Sequence, residues 1–504
     1  MILFEGAEWD FSKIEKTWEV IDRIGKQDFG LSYYEPQIEI INAEQMLDAY
    51  SSVAMPIMYN HWSFGKSFIQ NANQYQHGQM GLAYEVVINT NPTLTYLMEE
   101  NTMTMQALVM AHAVVGHGSF FKNNYMFKGW TDAESILDYL QFAKNFVKDC
   151  EERYGSSKVE QTLDACHALQ DFGCDKYKRP ISLSKELKRQ KTEELSNYFQ
   201  SIKNDLYDTT AREYYNLQKR RVEKTIDRLG NKDREFPEEN LLYFLEKKSP
   251  ILKDWQRELV RIVRKVSQYF YPQSQTQLMN EGWACFWHYH VMEQLYEQGY
   301  IDEGSYLEFL QNHTAVTRQA DYTSRYYHGL NVYALGFAMM MDIKRICVNP
   351  TEEDKYWSPD ICNTDWKTTL KYVMENYRDE SFILQYLSPT VIRKFKFFAI
   401  QNDANNEAYI TVTHVSRDED VLNIRKILAQ QYSRSYRVPQ IEIVNVNWTK
   451  DRNMTLYYYP INGKLLDIVT TKETLDYIRH LWGFSVSVEY LDRVNSTAHK
   501  VNTA

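Results

Sequence analysis

Two histidines five residues apart flank an apolar stretch that ends in glycines. They are His112 and His117, in the string AHAVVGHG of residues 111–118. The apolar spacing before them predicts a helix, and at about 100° per residue two side chains at this spacing would lie roughly 140° apart. Because glycine readily adopts the left-handed conformation that ends helices, we expect Gly116 and Gly118 to end this helix and let His117 turn back towards His112. The pair could then ligate one metal ion; the alternative is two buried, hydrogen-bonded histidines.

A single carboxylate lies in a strongly apolar, aromatic helix further along the chain. It is Glu281, in the string NEGWACFWHYHVM of residues 280–292. A buried carboxylate is costly unless it is paired or bound to a cation. Zinc sites with two histidines and one glutamate take the third ligand from a separate downstream helix and leave one position open for water. We therefore predict a zinc site formed by His112, His117 and Glu281.

The position of His288 predicts a supporting role beside this site. It follows Glu281 by seven residues, on nearly the same helix face but about 10 Å further along the axis. That is far for direct ligation of the same ion, so we assign His288 to a hydrogen bond with a ligand, to contact with the substrate, or to proton transfer through one water. Cys285 and His313 stay open as additional ligands. Alanine follows His112, so the built-in base of the HExxH zinc motif is absent.

The lower-ranked candidates for orienting a substrate are His61, Lys66, Glu99 and Glu100. His61 lies in an aromatic connecting segment, YNHWSFGK of residues 59–66, and polar groups among aromatic residues in such segments often form binding surfaces. The alternative is an aromatic loop that caps the core. Glu100 is expected in the helix that we predict to begin at Leu94, about three turns before His112.

Composition limits the functional class. The chain has 504 residues and a formal net charge of −10, which argues against general nucleic-acid binding, because that requires a cationic face. The first residues carry acids where a signal peptide needs basic residues, and no run of about 18 apolar residues is long enough to span a membrane. Six scattered cysteines without a CxxC pair indicate reduced thiols and a cytoplasmic location.

The periodicity of apolar residues predicts a mainly α-helical large N-terminal domain and a small α+β C-terminal domain. The helical domain is assigned to residues 1–394, with a charged helical excursion at about 183–235 that is either a solvated arm or a docking site for a partner. From residue 395 to 494 the period changes to two, and the predicted order is close to β-β-α-β-β-α-β. The tail, 495–504, is expected to be disordered.

Several long strings resemble the SpoVR family, also called stage V sporulation protein R. They are YNHWSFGK (59–66), GLAYEVVINTNP (81–92), YLMEEN (96–101), AHAVVGHGSFFKNN (111–124), NEGWACFWHYHVM (280–292), SPDICNTDWKTTL (358–370) and NYRDESFILQYLSP (376–389). The resemblance implies a link to formation of the spore cortex, a peptidoglycan layer. In bacteria without spores it implies a stress or starvation response together with a PrkA-type serine kinase and a companion protein.

The same residues carry a weaker similarity to a class of zinc peptidases. Those enzymes combine a His-Glu … Pro-Gly-His string with a Glu-Gly-Trp-Ala helix, and residues 281–284 here read Glu-Gly-Trp-Ala. The first hypothesis is therefore a zinc-dependent hydrolase, amidase- or peptidase-like, acting on a peptide or peptidoglycan-related substrate. The rival hypothesis is a non-enzymatic adaptor that works with the kinase and holds a structural ion or none. Three protein ligands in a cleft favour the enzyme, and a closed four-ligand site favours the adaptor.

Overall fold

The computed structural model describes residues 2–52, 55, 57–76, 85–177, 236–321, 324–397, 399–402, 410–413, 417–461, 463–492 and 497–503. Up to residue 177 its helices are α1 Phe11–Arg23, α2 Ala43–Ser51, α3 Trp62–Gln76, α4 Met103–Met110, α5 Ser119–Asn123, α6 Tyr125–Trp130, α7 Ile136–Tyr154 and α8 Ser156–Ala168. Two π-helical segments, Ile24–Asp28 and Ala111–Gly118, continue α1 and α4. The predicted charged excursion at 183–235 lies outside the described residues.

From residue 236 onwards the helices are α9 Leu241–Lys248, α10 Asp254–Gln275, α11 Gln277–Glu297, α12 Glu303–Thr317, α13 Val332–Val348, α14 Glu352–Trp357, α15 Trp366–Asn376, α16 Asp379–Tyr386, α17 Pro389–Lys394, α18 Asp418–Tyr432, α19 Arg434–Arg437 and α20 Ile468–Trp482. The strands are β1 Pro36–Ile41, β2 Glu85–Ile88, β3 Thr93–Met98, β4 Ala399–Asn402, β5 Ile410–Thr413, β6 Gln440–Val446, β7 Met454–Tyr459, β8 Val486–Asp492 and β9 Thr497–Asn502. The predicted class, a large helical N-terminal part with a small α+β C-terminal region, is confirmed.

The chain forms two compact units. The first contains Met1–Leu163 and Lys265–Val438, and the second contains Asp164–Arg264 and Pro439–Ala504. The division at Pro439 differs from the boundary predicted at residue 395. The apolar face of α18 accounts for this difference, because its buried side chains belong to the core of the first unit; they include Val421, Ile424 and Leu428.

Helix α11 runs through the core of the first unit. Its aromatic side chains Trp283, Phe286 and Trp287 are fully buried, and full burial of each such side chain is worth about 2–3 kcal/mol of transfer free energy. A helix that is apolar on all sides is stable only when it is surrounded by other elements. The π-helical segment at 111–118 and helix α13 pack directly against it.

A three-stranded sheet in the first unit has the order β1-β3-β2, with β1 parallel and β2 antiparallel to β3. The helix predicted from Leu94 is therefore wrong, because Thr93–Met98 form the central strand and all six residues are buried. In the string TLTYLM the threonines alternate with Leu94 and Tyr96, and β-branched and aromatic residues are enriched in strands. Glu100 consequently lies in an exposed turn before α4.

The second unit contains a four-stranded sheet of order β6-β7-β8-β9, in which β7 and β8 are parallel and the other pairs antiparallel. Helix α20 connects β7 to β8 and ends at Gly483, whose φ of +88° is the left-handed conformation of a helix C-terminus. Strand β9 occupies residues that were predicted to be a disordered tail. Its backbone pairs with Ser487–Asp492 of β8, which satisfies polar groups that would otherwise line an open sheet edge.

Among the described residues, none of the helices combines the length and apolar character that crossing a lipid bilayer requires. All six cysteines are free thiols.

Candidate metal centre

The two histidines lie on one face of the π-helical segment. In a π-helix the backbone hydrogen bonds join residues five apart, so His112 and His117 are about one turn apart. Their ring centroids are 4.6 Å apart, with the rings nearly perpendicular. The expectation that Gly116 and Gly118 end the helix is wrong, since neither has a positive φ and the helix continues into α5. A change of helical register, with no break in the helix, brings the imidazoles together.

Glu281 is positioned by contacts at the N-terminus of α11. The Asp379 carboxylate accepts hydrogen bonds from the backbone N–H groups of Leu278 and Met279, both at 2.9 Å. These bonds satisfy donors that a helix N-terminus leaves without an intrahelical partner. They also fix the first turn of the helix, which directly precedes Glu281.

Glycines let the neighbouring helices approach α11 at backbone distance. A Cβ atom on Gly116 would lie 2.6 Å from Cα of Ala284, and a Cβ atom on Gly282 would overlap the backbone of Gly336 on α13. Trp283 adds a directional link, because its indole N–H donates to Oγ of Ser119. Glu281 is therefore held between the π-helical segment and α13 by close packing on both sides.

The three predicted ligands converge in space. Oε2 of Glu281 lies 3.7 Å from Nε2 of His112 and 3.6 Å from Nε2 of His117. The two histidines are buried, and the glutamate side chain keeps 18% of its surface accessible. Ligand atoms bonded at about 2.0–2.2 Å to one tetrahedral zinc ion lie roughly 3.3–3.6 Å apart. The observed distances are within a few tenths of an ångström of that range.

The hydrogen bonding of these ligand atoms is of the kind that a bound cation requires. Oε2 of Glu281 is buried without a hydrogen-bond partner, and a buried carboxylate oxygen in that state is costly. His117 has its Nδ1 3.0 Å from Oδ1 of Asn280. An amide oxygen only accepts hydrogen bonds, so Nδ1 carries the proton and Nε2 presents its lone pair towards Glu281. This is the tautomer that a metal ligand requires.

A second carboxylate reaches the same histidine. Glu85, the first residue of β2, pairs with Leu97 of the central strand and places Oε1 3.7 Å from Nε2 of His112. Its side chain also keeps 18% of its surface accessible. The compact group of possible ligands contains His112, His117 and Glu281 but not Glu85. Glu85 thus stands beside the group rather than within it.

The charges of the four side chains depend on one another. Burial raises the pKa of Glu85 to about 6, with opposing contributions from His112 and Glu281. Burial alone would raise the pKa of Glu281, but the two imidazoles lower it below the ordinary value. Burial lowers the pKa of His117 to about 4. His112 has a raised pKa despite its burial, because Cys285 and the two carboxylates favour its charged form. The cluster therefore favours the protonated, positively charged form of His112.

A sequence profile described as SpoVR like protein matches residues 8–437, and one described as SpoVR-like C-terminal domain matches residues 439–493. The chain belongs to the SpoVR family. This SpoVR protein is 53% identical over 489 residues to "Uncharacterized protein YcgB" of Escherichia coli (strain K12), a match that covers 97% of the chain and 93% of the relative. No solved structure matches it. The family predicted from the sequence is confirmed, and the name of the relative states no activity.

In this SpoVR protein, His288 contacts the ring nitrogen of His112 that does not face Glu281. Its Nδ1 is 2.8 Å from Nδ1 of His112, and its Nε2 is 2.7 Å from Nδ1 of His313. Cys285 forms a second compact group with His112 and His288. His290 instead points at the carbonyl oxygen of Phe286, 2.7 Å from its Nδ1. The assignment of His288 to proton transfer stays a prediction, as do the ligand alternatives Cys285 and His313.

The lower-ranked candidates His61 and Glu100 are not members of either compact group. Glu100 is exposed in the turn before α4. His61 precedes α3, with its Nδ1 2.6 Å from Oγ of Ser63, and it lines a cavity of about 1030 Å³ together with Trp62 and Tyr96. Their assignment to substrate orientation remains a prediction.

Glu85 and Asn280 belong to the surroundings of the site but were not selected from the sequence. Glu85 carries a usable signal, because it is an acid at the start of the apolar string EVVI, which is the reasoning that selected Glu281. The sequence signal at Asn280 is weaker, because the sequence does not show which way the amide next to Glu281 points.

Proposed function

We propose that this SpoVR protein is a metal-dependent hydrolase with a zinc ion held by His112, His117 and Glu281. The observation that carries the proposal is the unpartnered Oε2 of Glu281, 3.6–3.7 Å from Nε2 of both imidazoles. Two histidines and one carboxylate leave a coordination position open, which is typical of catalytic zinc sites. When bound, the ion would polarise a substrate carbonyl and lower the pKa of a water molecule.

Glu85 is the proton acceptor in this proposal. Its Oε1 lies on the same side of His112 as Glu281, close to Nε2. Its pKa of about 6 suits a general base that works near neutral pH. His288 is less suitable than the sequence suggested, because both of its ring nitrogens are within hydrogen-bonding distance of other imidazoles. Glu85 therefore takes the role that the HExxH motif gives to its glutamate.

The remaining polar side chains hold the reacting groups. Burial and the nearby Glu281 carboxylate raise the pKa of Tyr333, and Asn280 orients His117. The substrate class follows from the family: a peptide or peptidoglycan-related amide is proposed, because the family is linked to the spore cortex. Cooperation with a PrkA-type kinase and a cytoplasmic location remain predictions.

Elemental analysis of protein purified without a histidine tag tests the metal site. We expect about one zinc per chain in the natural protein and none in Glu281→Gln. Glu293→Gln is the matched control, since Glu293 is a partly buried acid in the same helix that belongs to neither group of possible ligands; it should retain the metal. Equal zinc content in both variants would contradict the ligand assignment. Iron in place of zinc would overturn the hydrolase, because this ligand set also holds non-haem iron.

Hydrolysis tests the role of Glu85. With peptidoglycan fragments and peptide amides as substrates, Glu85→Gln should keep its zinc and lose about 10²–10⁴-fold in turnover. Glu39→Gln, in strand β1 of the same sheet, should keep both properties, because Glu39 accepts a hydrogen bond from Gln37 instead. Zinc-loaded natural protein that cleaves none of these substrates would favour the adaptor hypothesis.

A further inference from the structure

Three buried imidazoles form a continuous chain that starts at a metal ligand. Nδ1 of His112 is 2.8 Å from Nδ1 of His288, and Nε2 of His288 is 2.7 Å from Nδ1 of His313. The three residues come from the π-helical segment, α11 and α12. All are at least 94% buried, and the rings of Phe309 and Phe337 pack against His313. The chain thus runs through an apolar environment.

The hydrogen-bond chemistry of imidazole gives the chain one direction when a metal is bound. A neutral imidazole has one N–H donor and one acceptor nitrogen. If Nε2 of His112 presents its lone pair to an ion, Nδ1 must carry the proton and donate to Nδ1 of His288. Nε2 of His288 must then carry its proton and donate to Nδ1 of His313. Each ring therefore fixes the tautomer of the next.

The short distances argue against an ion inside the chain. His112, Cys285 and His288 have ligand atoms close enough to suggest a second site. However, two nitrogens bonded to one tetrahedral zinc ion lie roughly 3.3 Å apart, and Nδ1 of His112 is only 2.8 Å from Nδ1 of His288. A distance of 2.8 Å is typical of a hydrogen bond.

We propose that His288 and His313 are positioning residues, which hold the His112 ring in the orientation and tautomer that direct Nε2 to the ion. This inference rests on the proposed metal site. In metal sites the partner of a ligand histidine is ordinarily a carboxylate, a backbone carbonyl or a water; here two further imidazoles take that place. The chain is a support for the ligand and does not touch the substrate.

Zinc affinity, measured by competition with a chelator of known affinity, tests the chain. His288→Phe keeps an aromatic ring but leaves Nδ1 of His112 without an acceptor, so we expect a 10- to 100-fold loss of affinity. His288→Gln offers an amide oxygen as acceptor and should recover part of the loss. His290→Gln is the matched control: it removes a buried histidine two residues away whose ring bonds to Phe286 and Lys344, and it should bind zinc like the natural protein.

A milder variant keeps the test valid if His288→Phe does not fold. His313→Gln changes the far end of the chain and should lower the affinity by a smaller factor than His288→Phe. Unchanged affinity in both folded His288 variants and in His313→Gln would overturn the positioning role while leaving the metal site intact. Absence of zinc from the natural protein would overturn the proposed function itself, so the two failures are distinguishable.

Cobalt substitution separates the hydrogen-bonded chain from an ion at Cys285. Cobalt(II) bound by nitrogen and oxygen ligands lacks the intense thiolate-to-metal absorption that a cysteine ligand produces. We expect no such band in the cobalt-loaded natural protein, and the same spectrum in Cys285→Ser. A thiolate band that disappears in Cys285→Ser would place an ion between Cys285 and the imidazoles. It would contradict a hydrogen-bonded chain of His112, His288 and His313.

Discussion

Replacing Gly116 with alanine should separate the ligands of the candidate metal centre. A Cβ atom at this position would lie 2.6 Å from Cα and 2.7 Å from Cβ of Ala284. Carbon atoms in contact are ordinarily about 3.5–4.0 Å apart, so the π-helical segment and α11 must move apart by roughly 0.8 Å or more. Gly118, two residues on, provides a matched control, because a Cβ atom there would meet its nearest neighbour at 3.5 Å.

The displacement is large on the scale of a metal site. His117 directly follows Gly116, and Glu281 lies one turn before Ala284, so the two ligands belong to the two surfaces that separate. Functional constellations are held to within about 0.5 Å. Overpacking of a core costs about 1–3 kcal/mol, against which alanine in a helix gains about 0.5–1 kcal/mol over glycine. Gly116→Ala should therefore lower stability, and zinc affinity should fall at least tenfold, which is about 1.4 kcal/mol.

Urea unfolding and zinc competition titrations check this prediction. Gly118 has a helical φ of −59°, and there is room for an added methyl group. For Gly118→Ala we therefore expect unchanged zinc affinity and a stability equal to or above that of the natural protein. If Gly116→Ala matches Gly118→Ala in both measurements, close packing of the π-helical segment on α11 does not set the ligand geometry, and the reasoning is refuted.

Two further predictions concern metal removal and pH. Chelation of the metal should lower the midpoint of thermal unfolding, because an ion present at 100 times its Kd stabilises the folded protein by about 2.7 kcal/mol; an unchanged midpoint would show that no such ion is bound. For pH, burial raises the pKa of Asp379 to about 7 from an ordinary 3.8, although Met279 and Leu278 donate hydrogen bonds to it. A raised carboxyl pKa means that the folded state binds the proton more tightly, so stability should fall as the pH rises from about 4 to 7 and level off above. The change is at most about 4 kcal/mol, and Asp379→Asn should flatten this part of the measured pH dependence; identical profiles would contradict the assignment.

The convergence of the three ligands could be predicted because it follows from the cost of burial. Glu281 lies in a helix whose other residues are mostly apolar, so its charge needed a partner from elsewhere. The two histidines five residues apart were the best available partners. The residue types and the apolar, helical character of the string that carries Glu281 can both be read from the sequence.

The local geometry that accomplishes the convergence could not be predicted in the same way. A π-helical turn differs from an α-helical turn by one residue in its hydrogen bonding, and the apolar spacing of AHAVVGHG is compatible with both. The role of Gly116 depends on Ala284, which lies far along the chain. A helix from Leu94 is the wrong prediction for strand β3, although its threonines alternate with Leu94 and Tyr96, which is typical of a strand.

The packing around α11 links the proposed metal site to the core of the first unit. Helix α11 brings Trp283, Phe286 and Trp287 into an environment where water is excluded, and the same helix carries Glu281. Oε2 of Glu281 faces two imidazole nitrogens at distances too long for good hydrogen bonds, and one of these imidazoles, His117, is neutral because of its lowered pKa. A cation between them would satisfy three buried polar atoms at once, whereas replacing Glu281 alone would remove the carboxylate that faces both imidazoles. The metal is therefore expected to contribute to the folding free energy of the first unit as well as to any reaction.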